Sequence, residues 1–507
     1  MNKAILGRRS FLKASALFGS KLLVGATGFA SLTNCGSRSE WRSFQYPKIL
    51  LDNFSLFDGL NNSLQKDQII LIKGDKILGI EKKGDLSQYK DFRLFDLNGW
   101  TLLPGLIDNH VHMTSPFVMD GNLNVLFQKN EQFELNFRNC VMNGVTTVRD
   151  VGGFPGMIKK FKAKADKNQI PGPRVFSSLS MIAAREGLQL GWPVNAPYIE
   201  DPIMKSIMGG NFAARPQTME EINEVCEEMV RLGAVWLKTL HQDQSFHHKA
   251  HRLPNHTDDE YKAILRNGRK HNIRCAMHAT LVTGFKKGVD LGYHTLEHTP
   301  IDAVISDRYV DKFTESDVAI VPTIRIFGDF LIARKILKLV ETSGKEYLTP
   351  EALGQTTKSV KKILAVEDDD MSDEEWSSLR VDPLYFKDMF PNVIKNIEKL
   401  KSAGAEIGIG TDSGGSPFAL FGFYGDELKY VASVGISNFE TLRMATAKNA
   451  NILNMQDRIG TIEKGKWADL IAIEGDPLAD LESMNNIRMV MKGGAFIKNE
   501  GIVGLGV

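Results

Sequence analysis

The stretch LLPGLIDNHVHM, residues 102–113, governs how the rest of the chain is read. Pro104-Gly105 opens an apolar run broken only by Asp108 and Asn109, and His110 and His112 end it one residue apart. Side chains alternate faces along a strand, so both imidazoles project to the same side. Two neutral imidazoles aimed at one point make a good ligand pair for a divalent cation. Alone, so short a pattern equally suits two hydrogen-bonded structural histidines.

Downstream, short apolar runs alternate with amphipathic segments. The strand candidates are VTTVRD (145–150), RVFSSL (174–179), VWLKT (235–239), RCAMH (274–278), TLEH (295–298), AIVPT (319–323) and EIGIGTD (406–412). With the opening stretch they number eight. TMEEINEVCEEMVRLG has helical spacing and stops at Gly233, and Thr257-Asp258-Asp259-Glu260 is a capping-box pattern before the next helix. This alternation over residues 105–455 predicts an α/β fold, a (β/α)8 TIM barrel with insertions. The insertion is the charged, helix-rich stretch 340–400, whose acidic run EDDDMSDEEW (367–376) reads as a solvated loop or helix start.

The strand ends carry the chemistry. Lys238, His278, His298 and Asp412 each fall at or next to the C-terminal end of a strand candidate, the face on which barrels of this kind place their active sites. Each is weak evidence alone, but together with His110 and His112 they describe one rim built for a metal.

The order HxH, Lys, His, His, Asp, with Pro-Gly before the first pair and GTDSG (410–414) at the end, resembles the metal-dependent amidohydrolase superfamily over nearly the whole chain. GVTTVRDVGG (144–153), LEHTP (296–300) and KGKWADLIAIEGDPL (464–478) are similar to its imidazolonepropionase-related branch, which includes Xaa-Pro and Xaa-Arg dipeptidases. The resemblance implies that His110, His112 and Asp412 hold one divalent metal, zinc by preference, and that His278 and His298 hold a second. It also implies that Lys238 is carboxylated and bridges the two. An unmodified ammonium has no lone pair to offer a metal and is costly at the end of a buried strand. The alternative is a one-metal site in which Lys238 pairs with Asp412 or Glu297.

The implied reaction is hydrolysis of an amide or peptide C–N bond in a dipeptide or N-acyl amino acid. A hydroxide bridging two cations would attack the carbonyl, and Asp412 would act as general base and then acid. Alternatives are a mononuclear cyclic-amide hydrolase or deaminase, and a catalytically inactive, surface-anchored binding protein. A full ligand set argues against the last.

The pattern also departs from the dipeptidase relatives. Where they often carry a Gly-His turn, this chain reads AAREGLQLGWP (183–193), and where they often read HAH or HAY it has HAT with Thr280. Arg149, at the end of VTTVRD, is expected either to fork a substrate carboxylate or to pair with Asp150 or another strand-end acid. His241, His247, His248, His251 and His256 crowd one loop, but their irregular spacing in a polar segment suits a lid rather than a second metal site.

The remaining chain frames this core. Of 507 residues, 43% are hydrophobic and 24% charged, as in an ordinary globular protein, and the net charge of +1 offers no footprint for nucleic acid. A small molecule or short peptide is the expected partner. β-Rich segments at 46–104 and 456–507 are each too short for a stable sheet domain and predict one small composite β-sandwich assembled from both ends. Residues 1–35 resemble a twin-arginine export signal, with Arg8-Arg9 and Phe11-Leu12-Lys13 before a modestly apolar stretch. It ends by cleavage after Ala30 or at a lipobox, Leu32-Thr33-Asn34-Cys35, that would lipidate Cys35. The expected location is the periplasm of a bacterium, free or membrane-anchored. Cys140, Cys226 and Cys275 are widely spaced and odd in number, which predicts buried thiols rather than a disulfide framework.

Overall fold

The structure, a computed structural model, describes residues 41–115, 128–185, 187, 209–244, 252–367, 383–416 and 419–502. The expected export signal with Ala30 and Cys35 lies outside the described residues, as do Glu186, His247, His248, His251 and all but the first residue of the acidic run 367–376. Ser43–Val507 form one unit.

Seven parallel strands build its core: β1 (Leu106–Val111), β2 (Val145–Asp150), β3 (Arg174–Ser177), β4 (Trp236–Leu240), β5 (Arg274–His278), β6 (Thr295–Glu297) and β7 (Ala319–Val321). β1 pairs with β2 and β2 with β3. β4, β5, β6 and β7 pair in sequence in a second sheet, extended by the short strands Met181–Ile182 and Ala213–Ala214. The segment after residue 405 joins the two sheets through parallel bridges, Ile407 to Ile320 and Ser413 to Val111. On the far side the Val235 N–H donates to the Ser177 carbonyl at 3.0 Å. Helices lie between the strands, as an α/β fold requires.

The predicted strand 406–412 is not a regular ladder. It runs as irregular backbone tied to β1 by single bonds, Asn109 N–H to Ile409 O at 3.0 Å and Asp412 N–H to His110 O at 2.8 Å. Asp412 at φ 52° leaves the extended region, and Gly410 is pressed against β1. A Cβ on Gly410 would lie 2.5 Å from His110 Cβ and 2.8 Å from its backbone nitrogen. Only glycine lets two backbones approach this closely.

The helix signals hold. Met219–Leu232 is capped by Thr218 and ends on Gly233 at φ 100°. Asp258–Lys270 carries both halves of the Thr257/Glu260 capping box. The predicted insertion 340–400 holds helix Pro350–Glu367 and nearly all of Pro383–Ser402, and the helix Ala333–Ser343 leads into it. Among the described residues no helix is long and apolar enough to cross a membrane. Cys140, Cys226 and Cys275 are free and buried, as expected.

Strands from both flanks of the chain share one six-stranded sheet. Leu470–Ile473 pairs antiparallel with Thr101–Pro104, and Phe44–Gln45 with Ala495–Asn499. A four-stranded sheet of residues 48–96 packs its Ile49, Leu51 and Phe95 with Leu102, Leu470, Met491 and Phe496 in one apolar cluster. Arg174 of β3 forks onto Asp469 at 2.8 and 3.2 Å, and Lys492 donates to the carbonyls of Ala165 and Gly172 at 2.8 and 2.7 Å. The core strands are thereby anchored to this layer.

Because Gly410 faces backbone on one side and Val321 on another, a Gly410→Ala protein should lose about 1–3 kcal/mol of stability by overpacking. Urea unfolding followed by circular dichroism reads this as a lowered midpoint with an unchanged m-value.

Candidate metal centre

His110 and His112 leave the end of β1 on one face, as the alternation required, and Asp412 comes up beside them. His110 Nε2 and His112 Nε2 stand 3.5 and 3.3 Å from Asp412 Oδ1. His298 follows β6, its ring centroid 4.7 Å from that of His110 and 4.5 Å from that of His278. Lys238, 1% exposed, sits in β4 next to β5. Among the described residues, His110, His298 and Asp412 offer ligand atoms within 4.8 Å of one another. This trio draws on both of the metal sets expected from the sequence, so the two sets adjoin around one centre.

Each imidazole has one nitrogen taken by the protein. His110 Nδ1 contacts Glu297 Oε2 at 2.7 Å, His112 Nδ1 the Gly152 carbonyl at 2.7 Å, His298 Nδ1 the Thr323 hydroxyl at 2.7 Å and His278 Nε2 the Gln242 amide oxygen at 3.3 Å. A carboxylate and a carbonyl only accept, so His110 and His112 carry their protons on Nδ1 and their lone pairs on Nε2. Those lone pairs face Asp412 Oδ1, itself an acceptor. Three electron-rich atoms meet with no donor between them, and such an arrangement asks for a cation. Partners of this kind on the outward nitrogen are the usual mark of metal-ligating histidines.

The electrostatics agree. Burial pulls His110, His278 and His298 well below the usual imidazole range, with the positive charge of Lys238 adding to it at each, so these rings are neutral and able to ligate. Burial also pulls on His112, but the adjacent Asp412 carboxylate outweighs it and raises this ring, which reflects the same demand for positive charge at this point. Burial, the largest effect on Lys238, brings its ammonium down to about 7 against the pull of Glu297. Lys238 Nζ and Asp412 Oδ1 are both buried without a hydrogen-bond partner. Neither Asp412 nor Glu297 forms the ion pair with Lys238 that a one-metal site was expected to show. Orphaned groups of this kind are rare in native proteins and fit a bound ion or a modification.

Arg149 corrects one expectation. It is 0% exposed and does not reach the rim. Its guanidinium donates to Glu297 at 2.7 and 2.8 Å, to the Thr295 hydroxyl at 2.9 Å and to the Asn109 carbonyl at 2.6 Å, and it stacks over Trp236. The fork is used inside the protein, on a strand-end acid, and is not open to a substrate carboxylate. Glu297, in turn, is a site residue that the sequence reading cast only as a possible partner for Lys238. Burial raises its carboxyl, but the charges of Arg149 and Lys238 prevail and hold it below its ordinary value. Its Oε2 accepts from His110 Nδ1. The signal was a carboxylate in a fully buried three-residue strand.

In the strand-four loop, His241 bonds the Tyr261 hydroxyl at 3.0 Å and Asp243 at 3.2 Å, and His256 pairs with Glu260 at 3.5 Å. Neither joins the metal centre. Thr280 gives its hydroxyl to Gln242.

The sequence pattern of the family described as "Amidohydrolase family" matches residues 101–497. A 5-methylthioadenosine/S-adenosylhomocysteine deaminase from Caldanaerobacter subterraneus subsp. tengcongensis is 34% identical over 87 residues, 15% of this chain and 20% of the deaminase. Among solved structures, a prolidase complexed with N-methylphosphonate-L-proline superposes with a TM-score of 0.68 at 20% identity, covering 89% of this chain and 100% of that one. A Xaa-Pro dipeptidase with bound methionine gives 0.66 at 22% identity, covering 89% and 99%. At such identities these two likenesses establish the shared fold.

Removing one member of a buried ion pair strands the other, at a cost of about 3–5 kcal/mol. Arg149→Ala is therefore expected to lower the urea midpoint severely and to reduce metal content through His110. Unchanged stability with only a raised KM would reinstate the substrate fork.

Proposed function

The chain belongs to the amidohydrolase family, and from that premise we propose a hydrolase that uses two divalent cations to cleave an amide or peptide C–N bond in a dipeptide or N-acyl amino acid. The observation that carries this reading is the convergence of His110 Nε2 and His112 Nε2 on Asp412 Oδ1 at 3.5 and 3.3 Å, lone pair against lone pair. His110, His112 and Asp412 would hold one cation, His278 and His298 the other. Lys238, with its buried and unpartnered Nζ, would bridge them once carboxylated. Such ions, when bound, acidify a water and polarise a carbonyl.

The chain's own residues supply the rest. Asp412, with one oxygen among the imidazoles, would take a proton from water and return it to the leaving nitrogen, so the products would be a carboxylate and an amine. Glu297 and the Gly152 carbonyl keep His110 and His112 in the tautomer that points Nε2 inward. Structural likeness to a prolidase and a Xaa-Pro dipeptidase supports a dipeptide-sized substrate. The succession of parallel strands, joined at Val235 and Ser177, supports a closed (β/α)8 barrel, and the shared sheet of both flanks supports a composite β-sandwich beside it. Arg8-Arg9 and the apolar stretch after them support export, with Cys35 as a candidate lipid anchor.

A deaminase reading has one specific support, the 87-residue match to a deaminase, and the compact trio His110, His298 and Asp412 would serve a single cation. The two readings separate on product, a peptide-derived amine against free ammonia.

Three measurements bear on the proposal. Protein loaded with zinc should contain close to two equivalents per chain and gain the mass of one carbon dioxide at Lys238. Stripping with a chelator should abolish amine release from a dipeptide and N-acyl amino acid library, and zinc should restore it. Asp412→Asn should lower kcat about 10²- to 10⁴-fold with the fold intact; full activity in that variant would remove Asp412 from the reaction.

A further inference from the structure

Gln242 lies two residues past β4 and is fully buried. Its amide Nε2 donates to the Gln244 carbonyl at 2.8 Å. A carbonyl only accepts, so this bond orients the amide and turns Oε1 the other way. Oε1 receives the Thr280 hydroxyl and faces His278 Nε2 at 3.3 Å. An amide oxygen cannot donate, so the His278 proton resides on Nε2 and the lone pair on Nδ1. His110 and His112 show the reverse assignment, with protons on Nδ1. One centre thus mixes the two tautomers, and a single side chain selects the odd one.

We propose that Gln242 is the positioning residue of the second cation site: by accepting from His278 Nε2 it makes Nδ1 the only ligand atom that ring can offer. The proposal rests on the two-cation reading above. It also gives the Thr280 departure a purpose. Where relatives often carry histidine or tyrosine after the strand-five histidine, this chain has a hydroxyl that binds the same amide oxygen. Gln242 is held in turn by its loop. Its backbone N–H donates to Asn255 Oδ1 at 2.8 Å, and Asn255 Nδ2 donates to Asp243 Oδ1 at 2.8 Å. Two ends of one loop therefore fix the amide that fixes the ligand. A bland role for Gln242, tethering the loop alone, would need the amide's bond to Gln244 but not its bond to His278.

The test uses the full-length protein, stripped of metal and titrated with zinc against a competing chelator, and in parallel with cobalt followed by its visible spectrum. Wild type should bind two equivalents. Gln242→Leu, which cannot accept, should weaken the second equivalent about 10- to 100-fold while leaving the first unchanged. Gln242→Glu, which still accepts, should keep both. Nitrogen-15 shifts of His278 in metal-free wild type provide a measurement independent of any variant's folding, and should show the proton on Nε2. A proton on Nδ1, a second equivalent undisturbed in Gln242→Leu, or equal loss in both variants would overturn the role of Gln242. A wild type that binds a single equivalent would instead bring down the two-cation reading, and this inference with it.

Discussion

Arg149 and Glu297 meet fully buried among the strands, and the candidate metal centre adjoins their contact. Neither charge is tolerable alone at full burial, and together they repay desolvation only if every donor and oxygen finds a partner. Each guanidinium nitrogen of Arg149 donates, to Asn109, Thr295 and Glu297, while Glu297 also takes His110 Nδ1 and the Thr295 hydroxyl. These partners come from the paired strands β1 and β2 and from β6 of the other sheet, so the ion pair ties the two sheets together. It also decides which nitrogen of His110 faces inward. The pair therefore acts as both structural tie and ligand orienter, and one cannot be altered without the other.

Next to that pair lies the candidate cation site of His110, His298 and Asp412. Two acids flank the rim without joining it. Asp108 accepts from Thr411 Oγ1 at 2.6 Å, Thr411 N at 3.0 Å and His110 N at 3.1 Å, pinning the irregular segment to β1. Asp150 accepts from Met113 N and Ser177 Oγ, both at 2.8 Å. Burial drives Asp108 up to about 7 and Asp150 up to about 6, against these hydrogen bonds. Both are well supplied with donors from the protein, whereas Asp412 Oδ1 has none. That difference, more than proximity, separates the carboxylate available to a metal from those that shape its surroundings.

Much of this was legible in the sequence because it follows from short-range rules. Strand alternation put His110 and His112 on one face, and the recurrence of Lys238, His278, His298 and Asp412 at strand ends marked the rim. Thr218, Gly233 and the Thr257/Glu260 pair announced helix ends because capping is local chemistry. What escaped depends on partners distant in the chain. The direction of Arg149 is set by Glu297, 148 residues away, and no local pattern encodes that. Gln242 looked like one polar residue of a polar loop until Thr280 and His278 were brought to it. The segment 406–412 reads as a strand by composition, but its contact with β1 forces it out of a regular ladder.

That contact leads to the least expected feature of the rim. His298, Thr323 and Asp412 all adopt left-handed backbone, at φ 75°, 48° and 52°, and a β-branched residue such as Thr323 is a genuine outlier there. Each such residue costs about 1–3 kcal/mol and persists only where its surroundings over-determine it. Thr323 bonds the His298 ring, and the Asp412 N–H donates to the His110 carbonyl. Gly415 accommodates the turn at Asp412: a Cβ there would fall 2.2 Å from Asp412 Oδ1. The strain falls on residues whose side chains must leave a strand end and turn toward one point. An extended backbone would send His298 and Asp412 along the pleat instead. A bound cation would repay the strain by drawing these side chains together, so the energy stored in the backbone and the affinity for metal are two sides of one geometric requirement.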